Sequence, residues 1–137
     1  MLTPQRYCET VPVDLTWLGL HHLDLTSRQM HDLLMLRHDV FVIEQDCPYY
    51  RDIDGLDAAD GTHHVLALHA DQLVACARVL APGGDRPEVR IGRVVVAPTA
   101  RGSGAGHDLM RQSLTLCEQV WPAADIFLSA QAHLEQY

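Results

Sequence analysis

The sequence predicts an α/β protein of the α+β kind, with a mixed, mostly antiparallel central sheet flanked by helices. Three observations carry this. Residues 63–69 and 73–80 are short apolar runs on either side of Ala70-Asp71-Gln72, the pattern of a hairpin. Glu88 to Val96, after the turn cluster Pro82-Gly83-Gly84-Asp85-Arg86-Pro87, reads as the next antiparallel strand. An amphipathic helical stretch then separates that strand from Ile126-Phe127-Leu128-Ser129-Ala130, and a strand–helix–strand connection makes this last pair parallel.

Each element has a local reason. Residues 1–12 carry Pro4 and Pro12 with no apolar period and read as a loose arm. Residues 15–23 form a first strand, with imperfect alternation. Thr26-Ser27-Arg28-Gln29 fits a capping box, with Thr26 as N-cap and Gln29 three residues on. Met30, Leu33, Leu34, Val40 and Phe41 then recur at helical spacing to about residue 42. The second helix carries Leu109, Met110, Leu114, Cys117, Val120 and Trp121 toward the sheet, and Pro122 ends it. His133 to Tyr137 begin another helix.

The 137 residues suit one domain over 1–137 with a sizeable core. A formal charge of −8 argues against a nucleic-acid surface and favours cationic small partners. All ten basic residues are arginine. No apolar run is long enough for a membrane span, and no apolar segment follows the first residues as in a signal peptide. Cys8, Cys47, Cys76 and Cys117 are scattered, so free thiols in a cytoplasm are the expectation.

The most informative stretch runs from Ile91 to Met110. Val94, Val95 and Val96 are consecutive β-branched residues, as in a strand buried on both faces. Pro98 stops the ladder. Gly102, Gly104 and Gly106 remove every second side chain just before a helix N-terminus, where unpaired N–H groups and a partial positive charge favour an anion. A pyrophosphate is the guest this predicts; a loop that needs glycine only to turn is the alternative. The chain has no lysine, so the loop is not a Walker loop. The third glycine comes one residue early for a dinucleotide fingerprint.

Arg101, Gly104 and Gly106 fit the pattern [QR]-x-x-G-x-[GA], and Val96-Ala97-Pro98 supplies a V-x-P lead-in. In this the stretch resembles the acetyl-CoA loop of the GNAT family of N-acetyltransferases. A second stretch narrows the likeness. Arg37-x-x-Val40-Phe41-Val42-x-Glu44-Gln45, Cys47-Pro48-Tyr49 and Asp52-Ile53-Asp54-Gly55-x-Asp57 are similar to the ElaA-type branch of that family, as is Gln131-Ala132-His133-Leu134. The likeness covers nearly all of residues 15–137. It implies a GNAT-like sheet, splayed at the acetyl-CoA site. It also implies a C-terminal end longer than this chain's, so that the expectation is either a truncated fragment, a disordered tail, or a sheet edge completed by a second copy in a homodimer.

The resemblance implies transfer of an acetyl group from acetyl-CoA to a primary amine of a small molecule or peptide, by direct attack in a ternary complex. Arg101, Gly102, Ser103, Gly104, Ala105 and Gly106 would hold the pyrophosphate, and the backbone of Val94, Val95 and Val96 the pantetheine. Many members carry a base carboxylate on the strand before the loop. Here Val89 to Val94 hold none, and Glu88 lies at the edge. Glu44, which sits in the ElaA-type motif at the end of the first helix, is the candidate base, directly or through water, against the alternative of a plain helix-terminal carboxylate. His63, His64 and His133 are secondary candidates. No metal is expected: the histidines lack zinc spacing, and Asp52-Ile53-Asp54-Gly55 misplaces the glycine of a calcium loop. The acidic loop from Asp46 to Asp60 is expected to draw a cationic amine, with Arg37 pairing either to it or to Glu44. A GNAT-like module that binds CoA or an acyl-CoA without catalysis is the alternative from another class.

Overall fold

The computed structural model describes residues 14–129. The N-terminal arm, Cys8, the final helix, His133 and the motif around it lie outside the described residues. Five strands form one sheet in chain order: β1 (Thr16–His21), β2 (His63–His69), β3 (Gln72–Leu80), β4 (Val89–Val96) and β5 (Ile126–Leu128). The first four pair antiparallel, and β4 pairs with β5 in parallel, as the intervening helix requires. The hairpin between β2 and β3 closes on two residues, Ala70 (φ 51°) and Asp71 (φ 67°). Two left-handed residues make a turn whose twist matches the strands.

Helix α1 (Ser27–Arg37) starts as its sequence dictates. The Gln29 N–H donates to Thr26 Oγ1 at 3.0 Å, and the Thr26 N–H donates to Gln29 Oε1 at 2.8 Å. The helical stretch runs slightly past residue 42, but its geometry changes at His38: residues His38–Glu44 form a π-helical turn. Gln45 N–H donates to the Val40 carbonyl and Cys47 N–H to that of Val42, both five residues back. The turn buries Val40 and Phe41 and ends on Glu44.

The sheet has two covered faces. Leu33, Val40 and Phe41 pack on Leu66, Cys76 and Val95. On the other face helix α2 (Ala105–Val120) packs Leu109, Leu116 and Cys117 against a cluster that includes Val65, Ala67, Val79, Ile91, Val94 and Val96. The three valines thus divide between the faces, and all are buried. The stripe of α2 differs from the sequence expectation. Leu114 and Val120 are 41 % and 39 % exposed, whereas Ser113 is fully buried. Ser113 is tolerated there because its hydroxyl donates to the Leu109 carbonyl at 2.8 Å, which leaves no polar atom to solvate. Among the described residues no helix is long and apolar enough to cross a membrane.

Candidate active site

The site is centred on a defect in the sheet. Cys76 pairs with Val95 and Arg78 with Gly92, so Ala77 alone stands opposite both Arg93 and Val94. This is a β-bulge, and it holds Arg93 at φ 51°. A left-handed non-glycine residue costs of order 1–3 kcal/mol and persists only where its surroundings hold it. Here the side chain does the holding. Its guanidinium meets Asp52 Oδ1 at 2.8 Å, donates to the Asp52 carbonyl at 3.0 Å and to Asp54 Oδ2 at 3.2 Å, and lies over the Tyr50 ring.

The same region is where β4 loses its parallel partner. The β4–β5 ladder covers Val89 to Ile91, and the Ser129 N–H closes it on the Ile91 carbonyl. Beyond that point β4 runs on, through the bulge to Val96, with no further β5 ladder among the described residues. An opening of this kind admits an extended chain alongside the strand.

At the end of β4, Pro98–Ala100 form a 3₁₀ turn and the glycine loop follows. Gly102 (φ 82°) and Gly104 (φ 87°) are left-handed, and Gly104 is the N-cap of α2. A Cβ placed on either would meet no heavy atom within 4 Å. The space before the helix N-terminus is therefore open, and the first-turn N–H groups border it. Ser103 spends its hydroxyl on the Ala100 carbonyl at 2.6 Å, and Ala105 is buried. Gly106 sits in the first turn of α2, within ordinary contact distance of Val96. Backbone, more than side chain, borders this space, and a helix N-terminus is the kind of place where an anion is favoured.

Two residues singled out separately in the sequence meet here. Arg101 donates to both oxygens of Glu44, at 2.6 and 2.7 Å, and through Nε to the Val96 carbonyl at 3.1 Å. The hydrogen bond from Arg101 holds the Glu44 carboxyl below its ordinary range; slight burial opposes it. Glu44 thus stands at the rim of the glycine loop.

Arg37 settles on the acidic loop, not on Glu44. It is 1 % exposed, bonds Asp52 through Nε at 2.9 Å and grips both oxygens of Asp57, at 2.6 and 3.1 Å. Arg78, also buried, takes both oxygens of Asp54 at 2.8 and 3.0 Å and reaches Asp57 at 3.3 Å. Burial works against the charge of Arg37, yet the hydrogen bonds and charges of Asp57 and Asp52 raise its pKa. Burial likewise opposes the charge of Asp54, and Arg78 nevertheless brings its carboxyl down to about 2. Asp52 and Asp57 are therefore neutralised inside the protein and Asp54 at its surface, which corrects, for these three aspartates, the expectation of an acidic loop offered to a cation. His64 is buried with Nε2 at 3.0 Å from the Asp57 carbonyl, and burial lowers its pKa; His63 Nδ1 meets the Gly61 carbonyl at 2.9 Å. Both histidines are tied into the loop's own structure.

The sequence reading missed Arg78 and Arg93. The signal was there for Arg78: an arginine inside the apolar run Val74-Ala75-Cys76-Ala77-Arg78-Val79-Leu80 needs a buried carboxylate partner.

Comparison with known proteins adds four findings. Residues 27–135 match the model of the acetyltransferase (GNAT) family. Protein ElaA of Escherichia coli K12 is 44 % identical over 123 residues, which cover 90 % of this chain and 80 % of that protein. The crystal structure of an acyl-CoA N-acyltransferase from Pseudomonas aeruginosa superposes with a TM-score of 0.83 at 47 % identity, over 90 % of this chain and 84 % of that one. A Clostridium acetobutylicum structure described as a predicted acetyltransferase with acetyl-CoA shares the fold at 14 % identity and a TM-score of 0.60, over 88 % of this chain and 83 % of that one.

Proposed function

The chain belongs to the GNAT acetyltransferase family, in its ElaA-type branch, and on that premise we propose that it moves an acetyl group from acetyl-CoA to a primary amine of a small molecule or peptide. The observation that carries this is the coincidence of three features along and just beyond one strand: the bulge at Arg93, the end of the β5 ladder and the open glycine loop. Together they make a track that would hold an extended pantetheine with a pyrophosphate at one end. In this reading the backbone of Val94, Val95 and Val96 borders the pantetheine. Arg101, Gly102, Ser103, Gly104, Ala105 and Gly106 form the pyrophosphate cradle.

The amine nitrogen attacks the thioester carbonyl in a ternary complex. The C–N bond forms, the C–S bond breaks, the nitrogen loses a proton and the departing sulfur gains one. This reading requires a backbone N–H on β4 to face the carbonyl oxygen and stabilise it as it gains charge. Glu44 is the proposed proton acceptor, through water. Its pairing with Arg101 lowers its basicity in the free protein, and a pyrophosphate that competes for Arg101 would restore it.

One observation favours a second reading. β4 carries Arg90 and no carboxylate, and Glu44 is already ion-paired, so a module that binds acetyl-CoA or another acyl-CoA without turnover fits the same geometry. Release of free thiol from acetyl-CoA across a panel of primary amines separates the two. Amine-dependent release supports transfer. Saturable acetyl-CoA binding with no amine-dependent release supports the binding module.

A further inference from the structure

The face of the sheet that α1 covers has a gap beside the bulge. Arg78, Leu80, Arg90 and Gly92 lie on this face, in register as Arg78–Gly92 and Leu80–Arg90, with Phe127 the next partner of Arg90. They border a cleft of about 160 Å³ that Arg86 and Arg93 also line. Among the described residues four arginines and no carboxylate line it. In a chain with a formal charge of −8 this concentration is unexpected.

The charges behind the cleft do not fully cancel it. Asp52, Asp54 and Asp57 are held by Arg37, Arg78 and Arg93, and Glu88 is held by Arg86. Arg90 is the fifth guanidinium against these four carboxylates; it interacts with the charge of Glu88 but makes no close ion pair among the described residues. Two donors are also left over. The Nε of Arg90 and the Nε of Arg78 are both buried without a hydrogen-bond partner among the described residues. Arg78 is only 4 % exposed and lines the cleft, so its spare donor lies within the protein on a residue that borders the cleft. A buried N–H left unpaired is costly, and an anion is the guest that relieves it.

We infer that this cleft binds a carboxylate, and that the acceptor is an amine bearing a carboxylate on the same small molecule, of the amino-acid class. The inference rests on the acetyl-transfer reading, because Gly92 and Arg93 join the cleft to the bulge where the thioester is placed. Arg90 is the main specificity residue, with Arg78 behind it. The arginines exclude a cationic group at this point, so a polyamine is a poor acceptor. Leu80 and Phe127 supply an apolar wall for the acceptor's carbon skeleton.

The test uses the full chain saturated with CoA. Calorimetric titration with the common amino acids is compared with titration by their carboxamides, and each is repeated with Arg90→Gln. Acetyl-CoA binding to both proteins is measured separately by thermal shift. The expected result is tighter binding of one or more free acids than of the matching amides, by about tenfold, lost in Arg90→Gln while acetyl-CoA binding is unchanged. Where turnover is seen, the same variant raises KM for the acid and leaves kcat nearly as it was. Equal affinity for acids and amides, or a preference that survives Arg90→Gln, overturns the inference while the transfer reading stands. Inorganic phosphate competing as well as the acids would mark a general anion site and overturn the carboxylate assignment. Absence of acetyl-CoA binding by the unaltered protein overturns the transfer reading, and with it this one.

Discussion

Two polar loops flank β4, and they treat charge in opposite ways. The loop from Asp52 to Asp57 uses side chains and turns them inward: each aspartate meets a guanidinium from α1, β3 or β4. The loop from Arg101 to Gly106 uses backbone and leaves it outward, with open space in front of Gly102 and Gly104. A charged loop that satisfies itself is scaffold, however much its composition suggests a binding surface. A loop stripped of side chains before a helix N-terminus leaves its donors for a ligand. The first loop holds the bulge in place, and the second faces the space beyond it.

The largest expected difference between the two is in stability. Arg37→Ala leaves Asp52 and Asp57 buried with one partner fewer, and removing one member of such a network costs about 3–5 kcal/mol. Urea unfolding monitored by fluorescence measures it, and a loss under about 1 kcal/mol would place the network near the solvent. The glycine loop answers differently. Gly104→Ala forces a Cβ onto a residue at φ 87° and is expected to cost about 1–2 kcal/mol. Gly106→Glu meets no such strain, since Gly106 is helical and its added Cβ would lie 3.7 Å from Val96. It should keep the melting temperature and lose acetyl-CoA affinity, which makes it the cleaner probe of the site.

Acid should act on the aspartate loop first. The Asp54 carboxyl has a folded pKa of about 2 against an ordinary 3.8. A depressed pKa means that its contribution is present above the ordinary value and is lost as pH falls toward the folded one. Unfolding followed between about pH 4 and 2 should therefore show a loss of stability that Asp54→Asn reduces. The smallest effect belongs to the exposed Glu44–Arg101 pair. Glu44→Gln should change stability by less than about 1 kcal/mol. By releasing Arg101 it should tighten acetyl-CoA binding while it slows amine turnover. Slower turnover with unchanged binding would assign Glu44 to the proton alone, and unchanged turnover would remove it from the chemistry.

Much of this was legible in the sequence because local patterns decide local structure. Thr26 and Gln29 announce their capping box, the valines announce a doubly buried strand, and Gly102 and Gly104 occupy the two left-handed positions of their loop. What escaped depends on contacts across long separations. Arg101 and Glu44 lie 57 residues apart, and Arg93 and Asp54 lie 39 apart. No periodicity relates them. The bulge itself follows from a mismatch in register between two strands, which neither strand shows alone. The buried Ser113 was hidden because a polar residue satisfied by its own helix still fits a core stripe.

The central claim is that the open glycine loop holds acetyl-CoA. Thermal unfolding of the chain, with and without acetyl-CoA, tests it most directly, with Gly106→Glu beside it. At one hundred times the dissociation constant a ligand of the folded state adds about 2.7 kcal/mol, so the unaltered protein should melt roughly 8 °C higher. The variant should melt at the original temperature and not respond. A cooperative melt that acetyl-CoA does not move, or an equal rise in both proteins, would contradict the placement of the site.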